Sequence, residues 1–137
     1  MQLIQNKNFD KNIPVASEFN GVIFKDIFMR FSLVKDKLFD ECNFVNVDFS
    51  ESDIVNCKFI NSNFSNCILR HTNFQNTVFK KINGSGFDLR AGTLASNNFE
   101  DCYFFDSCFR GSKFLNNTIN NFKAINCDMK NIQFEKN

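Results

Sequence analysis

Apolar residues recur at every fifth position along this chain. From Phe19 the series runs through Phe24, Met29, Val34, Phe39, Phe44, Phe49, Ile54, Phe59, Phe64, Leu69, Phe74 and Phe79. After Gly84 it continues through Leu89, Leu94, Phe99, Phe104, Phe109, Phe114, Ile119, Ala124, Met129 and Phe134, so that of 24 positions only Gly84 is not apolar. A helix repeats its apolar positions every three to four residues and a strand every two, and neither period matches five. The spacing therefore demands a backbone in which one large residue per repeat points inward and the chain then turns a corner.

The residue two places before each large one supports this reading. From Cys42 onward it is usually small: Cys42, Val47, Ser52, Cys57, Ser62, Cys67, Thr72, Thr77, Gly92, Cys102, Ser107, Ser112 and Cys127. One large and one small inward residue per five describe the wall of a narrow solenoid. The other three positions are mostly Asn, Asp, Lys, Glu and Arg, which face water.

The units CNFVN at 42–46, SNFSN at 62–66 and TNFQN at 72–76 resemble the pentapeptide-repeat family, whose unit is a small residue, a polar residue, Leu or Phe, and two variable residues. The resemblance covers nearly the whole chain. It implies an all-β, right-handed quadrilateral β-helix in which four units close one square coil of 20 residues. Coils stacked ~4.8 Å apart make about six coils and a rod on the order of 30 Å long. Residues 1–18 keep an apolar beat at Ile4 and Phe9 and break it at Pro14, so they are expected to form a cap or an irregular first coil, with the repeat proper at 19–137.

Wrapped in twenties, the inward residues form columns whose volumes test the register. Phe19, Phe39, Phe59, Phe79, Phe99 and Ile119 form one bulky column; Val34, Ile54, Phe74, Leu94, Phe114 and Phe134 form another. The column Phe24, Phe44, Phe64, Gly84, Phe104, Ala124 has two small members. Beside them the small site is large, Ile82 next to Gly84 and Phe122 next to Ala124, as close packing requires. Twenty Phe against one Tyr and no Trp agree with a dry, stacked interior.

The chain shows no apolar run of transmembrane length and no signal-peptide start, which predicts a cytoplasmic protein without membrane association. Six Cys suit neither disulfides nor a metal: Cys42, Cys57, Cys67, Cys102 and Cys127 fall on inward sites, only Cys108 faces outward, and a single His cannot complete the usual zinc constellations. No catalytic or cofactor-binding residues are expected. Gly84-Ser85-Gly86 lacks the Lys-Ser/Thr of a phosphate loop, and His71 falls on an outward position.

Two outward columns stand out. Arg30, Ser50, Arg70, Arg90, Arg110 and Lys130 are spaced by twenty and should stack as a basic ladder, with Asp48, Asp88 and Asp128 two residues earlier to offset its repulsion. Val45, Ser65, Ser85, Phe105 and Ile125 share another edge, with Tyr103 beside Phe105 as a contact surface. Asn46, Asn56, Asn61, Asn66, Asn76, Asn116, Asn121, Asn126 and Asn131 follow the large residue by two, where Asn tolerates a tight turn. The segment Phe28–Val34 is richer in apolar residues than one inward column needs, which points to a thick wall or an interface.

The resemblance also implies function. Some branches of the family, the Qnr and microcin-immunity proteins among them, act on DNA gyrase or topoisomerase IV by DNA mimicry and bear on antibiotic resistance; their rods are acidic and dimerise through a C-terminal helix. This chain has net charge +1 and shows no such helix. The expectation is a non-enzymatic binding protein, with a type II topoisomerase as the most specific partner and Asp40, Glu41, Asp48, Glu51 and Asp53 as the acidic surface. The alternatives are a scaffold or effector for another protein and phosphate or nucleic-acid binding through Arg70, Arg90, Arg110 and Lys130. A coil end offers a surface for homodimerisation.

Overall fold

Every fifth residue turns the chain. The backbone enters the left-handed region at Asn46 (φ 53°), Asn56 (54°), Asn61 (50°), Asn66 (53°), Asn121 (61°) and Asn131 (60°), and at Gly21, Gly86 and Gly111. All nine Asn expected at turns have this conformation. No Val, Ile or Thr occupies any of these corners, since a β-branched side chain pays most for positive φ. Between corners, residues alternate inward and outward as in any strand, so each straight run turns its first and third residues inward and buries them wherever a coil lies on both sides.

The structure, a computed structural model, describes residues 2–137. Four straight runs close one coil, and each residue pairs in parallel with the residue twenty places on: Phe39↔Phe59, Phe44↔Phe64, Ile54↔Phe74. The face carrying Phe39 and Phe59 is called the first, that of Phe44 and Phe64 the second, that of Phe49 and Leu69 the third, and that of Ile54 and Phe74 the fourth. The first two faces share a nine-stranded sheet and the fourth is a separate six-stranded sheet. The third is stitched by single bridges, Asp48↔Ile68↔Asp88↔Cys108↔Asp128. The described residues contain no helix, and none long and apolar enough to cross a membrane.

About seven coils stack, one more than the six expected. The difference lies at the start. Strand Gln2–Asn8 pairs in parallel with Val22–Phe28, Ile4 opposite Phe24, while residues 9–17 run without regular structure through Pro14; Met1 lies outside the described residues. The amine of Lys37, at an inward site, holds this irregular stretch by donating to the carbonyls of Pro14 (2.9 Å) and Ala16 (2.6 Å).

The core follows the predicted columns. Phe19, Phe39, Phe59, Phe79 and Phe99 stack ring on ring at 4.9–5.5 Å, matching the coil spacing. The small sites do more than leave room. The backbone N–H of Ser32 donates to Ser52 Oγ (3.1 Å), whose hydroxyl donates in turn to the Met29 carbonyl (3.0 Å). The same two bonds recur with Asn: Thr77 N–H to Asn97 Oδ1 (3.0 Å), and Asn97 Nδ2 to the Phe74 carbonyl (3.1 Å). A small side chain with both acceptor and donor satisfies an interior amide and carbonyl that the corner leaves unpaired. No buried polar side-chain atom among the described residues lacks a partner.

Candidate interaction surfaces

The basic ladder exists, and it is ion-paired. Asp88 accepts from Arg70 Nε at 2.7 Å and from Arg90 Nη2 at 2.8 Å; Asp128 accepts from Arg110 Nη2 at 2.9 Å. Both carboxylates also cap a backbone amide two residues on, Arg90 N–H at 3.2 Å and Lys130 N–H at 3.0 Å. Burial works to raise the Asp88 carboxyl, but the hydrogen bonds from Arg90 and Arg70 outweigh it and hold the group at about 2. The Asp128 carboxyl is lowered first by the Lys130 amide and then by the charge of Arg110. Two coils below Arg70, Arg30 grips Asp10 through two nitrogens, Nη2 at 2.7 Å and Nε at 3.1 Å.

The acidic residues do not share a face. Asp40 ends the first face, Glu41 sits on the corner after it, Asp48 lies on the third face, Glu51 takes the next corner and Asp53 lies on the fourth. A run of acids in sequence thus encircles one coil instead of lining the rod. Neighbouring coils pair them with amides: Asn61 donates to Asp40 (3.4 Å) and Asn73 to Asp53 (3.0 Å). Corner Asn residues do the same elsewhere, Asn46 to Asp26 (2.8 Å), Asn121 to Asp101 (2.9 Å) and Asn126 to Asp106 (2.6 Å).

On the second face Val45, Ser65, Ser85, Phe105 and Ile125 align in one outward column. Beside it run Asn43, Asn63, Asn83, Tyr103 and Lys123, where Asn63 donates to Asn43 at 2.9 Å. The short side chains leave a groove of about 430 Å³ floored by Asn63, Ser65, Asn83 and Ser85, which ends at Phe105. Phe105 and Ile125 are exposed, and Tyr103 accepts a hydrogen bond from Asn121 (2.9 Å) with the Lys123 amine 5.5 Å from its ring.

A second apolar patch near the N-terminal end runs from the third face around its corner onto the fourth, where Phe28, Phe31 and Leu33 are all exposed. Phe31 occupies a corner at φ 54°, a conformation that a bulky side chain rarely adopts. The Arg30 guanidinium sits 4.5 Å from the Phe28 ring and 5.7 Å from that of Phe31.

Residues 39–81 match the family model for Pentapeptide repeats, in eight copies. That segment is built of pentapeptide repeats. No curated protein matches it. Among solved structures it is similar to a pentapeptide repeat protein, Rfr23, from the cyanobacterium Cyanothece 51142, at 13% identity over 97% of this chain and 84% of that one, with a TM-score of 0.47. It is similar to QnrB1, a plasmid-mediated fluoroquinolone resistance protein, at 15% identity over 96% and 79% with a TM-score of 0.39. HetL of Nostoc sp. strain PCC 7120, a pentapeptide repeat protein involved in heterocyst differentiation regulation, matches at 8% identity over 96% and 84%, TM-score 0.35.

The remaining candidates occupy ordinary pentapeptide-repeat positions. His71 is an exposed corner residue at φ 57°. Gly86 is a corner at φ 64° whose Cβ would run into Asn66 Oδ1, whereas Gly84 lies in a strand, where a Cβ would come within 2.5 Å of the Phe104 ring. Cys42, Cys57, Cys67 and Cys102 are buried, and burial pushes the Cys67 and Cys102 thiols up to about 12. Cys127, expected to be equally inward, is only half-buried because its coil has a neighbour on one side alone. No group of three or more His, Cys, Asp or Glu among the described residues is arranged to hold a metal ion.

Proposed function

We propose that this chain is a non-enzymatic, cytoplasmic binding rod whose partner is a protein docking on the second face. One observation carries the reading. From Asn43 to Phe105 the outward residues of this face are Asn43, Val45, Asn63, Ser65, Asn83, Ser85, Tyr103 and Phe105, without a charge, whereas on the same coils the first and third faces carry a charge every time and the fourth lacks one only at Asn73, Gln75, Thr93 and Ala95. A flat, uncharged sheet face ending in exposed aromatic and aliphatic residues has the composition of an interface centre, from which charges are depleted. A type II topoisomerase is the partner class implied by the family resemblance. DNA mimicry draws less support, since acids that encircle a coil do not reproduce two lines of phosphates.

The test compares wild type with Phe105→Glu/Ile125→Glu, both sites being exposed. Partner capture and any effect on gyrase supercoiling should be lost in the double variant while thermal unfolding stays unchanged. Equal capture by both proteins would sink the assignment of this face.

A second reading is favoured by the exposure of Arg70, Arg90 and Arg110, which with Lys130 outnumber Asp88 and Asp128. In that case the third face binds phosphates, DNA is retarded at low salt, and replacing the three Arg by Gln lowers the salt slope.

A further inference from the structure

The outward column of the third face reads Phe28, Asp48, Ile68, Asp88, Cys108, Asp128, so that every second coil carries an acid. Asp88 and Asp128 each receive an arginine from eighteen residues earlier, and Asp88 also receives the arginine two residues later. By the same geometry Asp48 would take Arg30 and residue 50. Residue 50 is Ser, and Arg30 gives its nitrogens to Asp10, so that Asp48 keeps only a longer-range attraction to it. Asp48 keeps the Ser50 backbone N–H (2.9 Å) and forms no ion pair among the described residues.

This carboxylate lines a groove of about 530 Å³ bounded by Asp26, Asn46, Phe28, Ile27 and Ile68. Asp26 accepts from Asn46 and likewise has no ion pair. Lys7, the one cation lining the groove among the described residues, lies two coils below Asp48, ~10 Å along the stack. The opening therefore joins two carboxylates free of ion pairs to an apolar wall.

We propose that this groove receives an arginine side chain of a protein partner, the guanidinium on Asp48 and the stem against Phe28 and Ile68. Arginine fits better than lysine, because a planar fork can engage a carboxylate through two nitrogens, as Arg90 does on Asp88. The half-buried setting of Asp48 strengthens such a pair relative to one in open water. The inference rests on the protein-binding reading and adds a contact around the corner from the second face.

The probe is the peptide acetyl-Leu-Arg-Leu-amide, titrated into the isotope-labelled full chain and followed by amide shifts. Shifts should centre on Asp26, Asn46, Asp48 and Ile68, and the citrulline analogue should not reproduce them. Asp48→Asn should weaken binding about tenfold, the loss of a charge-assisted hydrogen bond. Ser50→Arg, which supplies the missing base within the column, should block the peptide and leave the fold intact. Equal binding by Asp48→Asn or by the citrulline peptide, binding undiminished in Ser50→Arg, or the absence of shifts would overturn the proposal. The protein-binding reading is judged separately, by the Phe105→Glu/Ile125→Glu comparison.

Discussion

Below Gly84 the inward column of the second face is a stack of parallel rings, and above it that stack is lost and the rings interlock across columns only. Phe24, Phe44 and Phe64 lie 5.1 and 4.7 Å apart with planes within 8° of parallel. Phe104 instead meets Phe87 at 5.2 Å and 48°, Phe122 at 5.3 Å and 37°, and Phe109 at 5.4 Å and 85°. The second arrangement exists because Gly84 and Ala124 vacate the column and Ile82, Phe87 and Phe122 fill the space from small sites. The same backbone thus accepts two packings, provided each coil encloses the same volume.

The largest effect expected from breaking this comparison is in the stacked half. Phe64→Asp would bury an unpaired carboxylate between Phe44 and Phe87 and should cost several kcal/mol or prevent folding, whereas Asn66→Asp at the next corner should be mild. Urea unfolding of the two variants measures the difference, and near-equal midpoints would be incompatible with this register.

Overpacking tests the interlocked half. An alanine at residue 84 would place its Cβ 2.5 Å from Phe104 Cδ1 and 2.8 Å from Cε1, so Gly84→Ala should cost about 1–3 kcal/mol. In a Phe104→Leu background the added cost should be smaller, because the ring that it strikes is gone. Strict additivity in a double-mutant cycle would mean that the two residues do not share the space.

Thiol access separates the coil interior from its exposed end. Brief iodoacetamide treatment should label Cys108 and Cys127 and spare Cys42, Cys57, Cys67 and Cys102, whose buried S–H groups point to carbonyls such as Phe44 O (3.3 Å) and stay protonated. Rapid native labelling of Cys67 would place it outside the core.

The smallest effect belongs to the ladder. The Asp88 carboxyl falls from its ordinary 3.8 to about 2, so its contribution is complete above pH ~4 and fades as pH drops through about 2. Asp88→Asn should flatten the acid side of the stability profile and cost ~1 kcal/mol or less near neutrality. An unchanged slope between those pH values would mean that the pairing is absent in solution.

The apolar beat of five made the columns, the inward thiols and the Asn corners readable from sequence, because each depends on one residue's relation to its own unit. Packing across coils was less legible. Phe87 and Lys37 occupy sites whose neighbours are small, and nothing within their own units shows that a glycine three residues earlier or a stretch of carbonyls at 14–16 makes room for them. The hydrogen-bonding duty of Ser52 and Asn97 was hidden behind their size. Among the surface candidates, spacing by twenty aligned Arg70, Arg90 and Arg110 beside the column of Asp88 and Asp128, but the direction in which a long side chain turns, as with Arg30 toward Asp10, is set by the coil below it. The five acids were adjacent on paper only because a coil is longer than the run that they form.

The bonds that tie one small site to the next join residues twenty to twenty-three apart, as between Ser52 and Met29 or Asn97 and Phe74. Backbone pairs such as Met29 N–H to the Asp48 carbonyl span nineteen. With every partner so near in sequence, a coil can be completed as soon as the following one has left the ribosome, and the structure can grow at the pace of translation. A nascent chain halted after Asn97 should already hold its lower coils in native form, with a protected Cys42 and Cys57, long before Phe134 is made.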